Sequence, residues 1–225
     1  MIDPEHQRRA YLQSMGIDVW LPRDARDPGV FDAEAGTLET ADLSWDELRQ
    51  CAVKCSLCEL ANSRKQIVFG AGNLDASWMI IGESPGAEED RQGEPFVGRD
   101  GQMLNEMLRA IGQSRESVYI ANVVKCRPPN NRAPQPAEAA ACRAYLQRQI
   151  SLVRPDVILA VGEITAQNLL QTDEPLERMR GREHKLEGVR LVVTYHPANL
   201  LSSPSQKPKV WSDLCLANPL SMIEA

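Results

Sequence analysis

No stretch of the 225 residues is apolar for the about 18 positions that a membrane-spanning helix needs, so no membrane role is expected. The first residues, MIDPEHQRRAYLQSMG, lack the apolar centre of a secretory signal, and the expected compartment is a reducing cytoplasm. There, six cysteines are expected to bind metal or to sit buried as thiols before they form disulfides. A basic balance is also missing. The formal net charge is -6, and all of it arises in residues 1–50, which hold 5 Lys+Arg against 11 Asp+Glu. The remainder is formally neutral and does not announce a general nucleic-acid binder, although affinity for phosphate needs only a local basic face. There is no internal repeat, and histidine is scarce at three residues. What is present, 43% hydrophobic residues, suffices for one well-filled core.

Three regions follow along the chain. Residues 1–23 read as a short amphipathic helix running into an extended Trp-Leu-Pro segment, a docking peptide for another protein. Residues 24–43, rich in Asp, Glu, Gly and Ala, read as an acidic linker. Residues 44–225 read as the globular domain. Ser44 and Glu47 form a capping box that opens its first helix. The apolar runs at 78–84, 118–124, 157–162 and 191–197 predict buried parallel strands, and helical spacing fills 101–112, 136–153 and 163–170. That alternation predicts an α/β fold, a three-layer α/β/α sandwich around a short four-stranded parallel sheet. Ligands of such sheets bind beyond the carboxyl ends of the strands, where this chain places GESPG, NVVKCRPP and HPANLL.

Cys55 and Cys58 form a Cys-x2-Cys pair, and Cys126 and Cys142 bracket a long Pro-, Asn- and Arg-rich loop. Four thiolates can hold zinc or anchor a four-iron cluster, and Cys-x2-Cys also occurs in redox motifs. The wide second spacing tilts toward iron–sulfur without deciding the matter, and Cys142, inside a predicted helix, also fits a buried thiol. Cys51 and Cys215 are expected to pack, with Cys51 an alternative ligand. In GESPGAEEDRQGEPFVGRDGQ (82–102), Glu88, Glu89 and Asp90 suit the start of a helix. Followed by Gly93, Phe96 and Gly98, and matched by HPANLL after the last strand, they mark a candidate site.

Taken together, Cys55-x2-Cys58, GESPGAEEDRQGEPFVGRDGQML, YIANVVKCRPPNNRAPQPAE, Cys142, RPDVILAVG and TYHPANLL resemble the type-4, iron–sulfur uracil-DNA glycosylases over roughly residues 51–215. The resemblance implies a [4Fe-4S] cluster on Cys55, Cys58, Cys126 and Cys142, and a DNA partner containing uracil. It implies hydrolysis of the N-glycosidic bond of a flipped-out uracil. Phe96 occupies the family's base-stacking position and Asn122 the position of the amide that reads the base edge. Glu83 and Glu89 are the carboxylate candidates for orienting water and offsetting charge on the sugar, and His196 the candidate for stabilising the uracil anion. His6 and His184 are expected at the surface. Ser202 and Ser203 stand where the family commonly has an arginine, and Ser84 and Asn199 are further local departures.

The arm raises an alternative. RRAYLQSMGIDVWLPR resembles the start of the psi subunit of bacterial DNA polymerase III clamp loaders. That resemblance makes Tyr11, Ile17, Trp20 and Leu21 interface anchors on a replisome partner. The body would then be a connector with little or no glycosylase activity.

Overall fold

The four apolar runs lie side by side at the centre of the computed structural model, which describes residues 40–218. In chain order the elements are α1 (Trp45–Lys54), α2 (Leu60–Ser63), β1 (Ala71–Gly72), β2 (Trp78–Gly82), α3 (Ala87–Gln92), α4 (Arg99–Ala110), β3 (Tyr119–Asn122) and α5 (Pro136–Val153). They continue with β4 (Val157–Val161), α6 (Glu163–Leu170), α7 (Leu176–Met179), β5 (Glu183–Leu186), β6 (Val189–Thr194), α8 (Pro197–Ser202) and α9 (Lys207–Ala217). Strands β3, β2, β4 and β6 pair in parallel in that order. Every residue of β2, β3 and β4 is buried, as expected of strands covered by helices on both faces. The architecture is the three-layer α/β/α sandwich.

The sheet is larger than the expected four strands. It has six, because β1 and β5 add antiparallel edges to β3 and β6. Strand β5, EHKL, is too polar to read as a buried strand, since only alternate residues are half-covered. It is joined to β6 by the two-residue turn Glu187-Gly188, both at positive φ (50° and 88°), the backbone that a tight hairpin requires.

Helix starts follow the local chemistry. Ser44 and Glu47 make the reciprocal capping box at α1. Helix α5 begins with Pro136 at its first turn and closes its N-terminus through Glu138, whose Oε2 accepts from Gln135 N at 2.7 Å. Along α5, Glu138, Cys142, Tyr145 and Gln149 recur at helical spacing and are all buried. A polar stripe on a buried face needs partners, and it meets the cysteine loop described below.

Tyr11, Ile17, Trp20 and Leu21 lie outside the described residues, as does the linker before Thr40. The last linker residues differ from the expectation. Thr40 is buried and its hydroxyl donates to Ala144 O at 3.2 Å, while Leu43 O accepts from Arg148 Nε at 2.8 Å. Residues 40–43 therefore dock on α5. Among the described residues no helix is long and apolar enough to cross a membrane.

Candidate active site

Strand β2 ends at Gly82, in register with Asn122, the last residue of β3. There is no room for a side chain at Gly82. A Cβ there would lie 2.5 Å from Asn122 Oδ1 and 2.5 Å from Phe96 Cζ. The missing side chain lets an aromatic ring and an amide meet at the strand end. Asn122 is 2% exposed, and its Oδ1 has no hydrogen-bond partner. An acceptor buried without a partner costs about 1–3 kcal/mol, so this atom marks a place for a donor from outside the chain.

The ring opposite is held by its loop. Phe96 has φ 53°, a left-handed backbone that a bulky residue adopts only under constraint. Three contacts impose it. Arg115 donates from Nη2 to Pro95 O (2.7 Å) and from Nη1 to Phe96 O (3.0 Å). Gly101 of α4 lets the Phe96 carbonyl approach so closely that a Cβ would sit 1.7 Å from its oxygen. Glu89 accepts from Val97 N (3.0 Å) and Gly98 N (3.1 Å) through Oε1, and from Gly86 N (3.1 Å) through Oε2. Both oxygens of Glu89 therefore hold the loop. The other carboxylate candidate, Glu83, is half-buried just beyond β2, and burial pushes its carboxyl above the ordinary range.

His196 arrives from the far side, two residues beyond β6, as the N-cap of α8. Its Nδ1 accepts from Ala198 N at 3.2 Å, which leaves Nε2 to carry the proton in the neutral ring. Burial pulls its pKa below the ordinary value, against an opposing pull from the carboxylates of Asp100 and Glu89. The ring lies 5.6 Å from that of Phe96, at 31° between planes. Phe96 thus stands close to Asn122 at Gly82 and beside His196. Of the two histidines expected at the surface, His6 lies outside the described residues, and His184 is half-buried with Nε2 2.7 Å from Met179 O.

The four cysteines Cys55, Cys58, Cys126 and Cys142 line one cavity beside the sheet, together with Tyr145, Arg64 and Lys125. Arg64 donates from Nη1 to Cys126 Sγ (3.0 Å), and Lys125 N donates to Cys142 Sγ (3.4 Å). Both contacts suit sulfurs that carry negative charge. Burial raises the thiols of Cys58 and Cys126 and pushes that of Cys142 up to about 12, which favours their neutral forms. Among the described residues no three Cys, His, Asp or Glu side chains converge closely enough for one metal ion. Ligands of a multi-iron cluster stand farther apart than those of a single zinc ion, since each sulfur binds a different metal atom. Four cysteines lining one cavity are a donor set of the kind that holds a metal centre. Cys51 and Cys215 are half-buried and do not line the cavity, and Cys51 packs against the core.

Two residues with clear work in this region escaped the sequence reading. Lys125 is 1% exposed, between the cysteine cavity and Asn122, and its only local signal is a charge inside the apolar run NVVKC. Arg115 carries no local signal, because its partners are carbonyls on a distant loop.

An aromatic ring, an orphaned amide and a histidine thus lie together at the carboxyl ends of the strands of an α/β sandwich. The family model of the Uracil DNA glycosylase superfamily matches residues 69–215, and the chain belongs to that superfamily. It is 41% identical over 178 residues to a type-4 uracil-DNA glycosylase of Archaeoglobus fulgidus, covering 76% of this chain and 89% of the relative. It is 45% identical over 157 residues to that of Thermotoga maritima, covering 68% and 81%. A type-5 uracil-DNA glycosylase of Pyrobaculum aerophilum is 31% identical over 146 residues, covering 57% and 64%.

Proposed function

We propose that this protein is a uracil-DNA glycosylase that hydrolyses the N-glycosidic bond of uracil flipped out of DNA in the cell's cytoplasm. The observation that carries the reading is the buried, unpartnered Oδ1 of Asn122, set against the ring of Phe96 across Gly82. Uracil offers an N3–H donor and an O4 acceptor side by side. An amide accepts from the first and donates to the second, whereas cytosine presents the reverse pattern and leaves both groups opposed. Phe96 supplies a face for the base to stack on.

Bond cleavage leaves positive charge on the sugar and negative charge on uracil. The neutral His196, with its proton on Nε2, donates to the departing base and stabilises that anion as it forms. Glu83, ionised, orients the water and offsets the sugar's charge. Glu89 acts through the loop it holds. Cys55, Cys58, Cys126 and Cys142 would hold a [4Fe-4S] cluster. When bound, the cluster supplies a fixed anchor for both ends of the Cys126–Cys142 loop.

Single-turnover release of uracil from labelled single- and double-stranded DNA tests the reading. Release is expected from the unsubstituted protein and is expected to be severely slowed, but still measurable, in Asn122→Ala. No release from a folded, iron-loaded protein would reject it.

A further inference from the structure

Lys125 is a cation without an anion. Its Nζ donates to Asn122 O at 2.8 Å and to Gln149 Oε1 at 2.5 Å, and both acceptors are neutral. It is 1% exposed and makes no ion pair with a carboxylate among the described residues. An ammonium so buried is strongly disfavoured unless a compensating charge lies close by. Groups able to carry such a charge are the sulfurs of the adjoining Cys126 and of Cys142, which line the same cavity. A four-thiolate iron–sulfur cluster is a net anion, and the cavity that would hold it is lined by Lys125 itself.

The rest of the residue is equally committed. Its N–H donates to Cys142 Sγ, and its carbonyl accepts from Val68 N at 2.9 Å. Gln149, which orients the ammonium, is in turn fixed by donating to Phe69 O (2.8 Å) and Tyr119 Oη (3.2 Å). A chain of direct contacts therefore runs from the cysteine cavity through Lys125 to the backbone of Asn122, the residue with the orphaned acceptor.

We propose that Lys125 is a positioning residue that couples the cysteine site to the base-reading amide. The cluster's charge holds the ammonium, the ammonium holds the Asn122 carbonyl, and the carbonyl fixes where the Asn122 side chain stands. This inference rests on the glycosylase reading.

The test uses the full-length, iron-loaded protein and the variants Lys125→Met, Asn122→Ala and their combination. Lys125→Met is expected to slow single-turnover uracil release about 10²-fold, the effect of a misplaced contact group. Affinity for DNA carrying an abasic site, which has no base to read, should stay within about twofold if DNA binding is independent of the pair. In the Asn122→Ala background the lysine substitution should add less than about twofold, because the two residues act as a unit. Loss of the positive charge should also shift the cluster's reduction potential to more negative values, read by spectroelectrochemical titration.

Effects that multiply in the double variant would overturn the proposal, and so would an unmoved potential. If Lys125→Met does not accumulate as folded protein, Lys125→Gln keeps a donor without the charge. It should show the same potential shift with a smaller loss of release, and an unshifted potential there would be equally decisive. If the unsubstituted protein releases no uracil, the functional reading fails instead. The potential shift then decides alone whether Lys125 is the counter-ion of the cluster.

Discussion

Phe96 and His196 stand ring to ring, 5.6 Å apart, although one comes from the loop before α4 and the other from the cap of α8. Part of the burial that depresses the His196 pKa is supplied by that ring. Phe96→Ala should therefore do two things. It should reduce excision by the worth of a base–aromatic stack, about 1–3 kcal/mol. It should also let water reach His196 and raise its pKa toward 6.5, so that the neutral ring is lost at a higher pH. The acid limb of the single-turnover pH profile should move upward in the variant. A limb that stays in place would detach His196 from the chemistry.

Glu83 is expected to trade stability for activity. Its pKa is raised by burial, so the ionised carboxylate weakens the fold at neutral pH. That penalty vanishes as pH falls below 4.5, where the carboxyl is protonated in both folded and unfolded chains. Glu83→Gln should raise Tm at neutral pH and leave it unchanged near about pH 4, while abolishing excision. Thermal melts at the two pH values, beside a uracil-release assay, check both halves.

Gly82→Ala is the smallest change that should empty the site. The added methyl would meet Asn122 Oδ1 and Phe96 Cζ at 2.5 Å each, and neither can retreat easily. Overpacking of this kind costs about 1–3 kcal/mol, seen as a lowered urea midpoint. Excision should fall by far more than the stability loss explains, because the displaced groups are the ones proposed to hold the base.

Glu89 separates a loop-holding role from a chemical one. It accepts three backbone N–H bonds, and charged hydrogen bonds are worth about 1.5–3 kcal/mol each before compensation. Glu89→Ala should lower Tm and excision together. Full thermal stability with excision lost would instead assign Glu89 to the water.

The parts legible in the sequence share one property: local patterning decides them. Apolar runs announced β2, β3, β4 and β6, and 3.6-residue spacing announced α4, α5 and α6. Strand β5 was hidden because an edge strand needs little apolar residue, although Glu187-Gly188 carried a turn signal. Asn122, Phe96 and His196 came from ordered motifs, yet the lack of a partner on Asn122 and the left-handed backbone of Phe96 arise only when distant segments meet. Glu89 was legible as a residue but not as a clamp, since its partners sit eight and nine positions onward in an irregular loop. Lys125 is illegible for the opposite reason. A lysine in a sequence implies a surface, and only its burial shows otherwise.

The backbone of Phe96 restricts which residues can ever occupy that position. Glycine or asparagine would relieve the left-handed torsion, but neither offers an aromatic face. A β-branched residue would satisfy neither requirement. The loop thus sits on a narrow ledge, where the substitutions easiest on the chain are the ones that remove the stacking surface. Changes that ease folding and changes that preserve base capture point in opposite directions at this one residue.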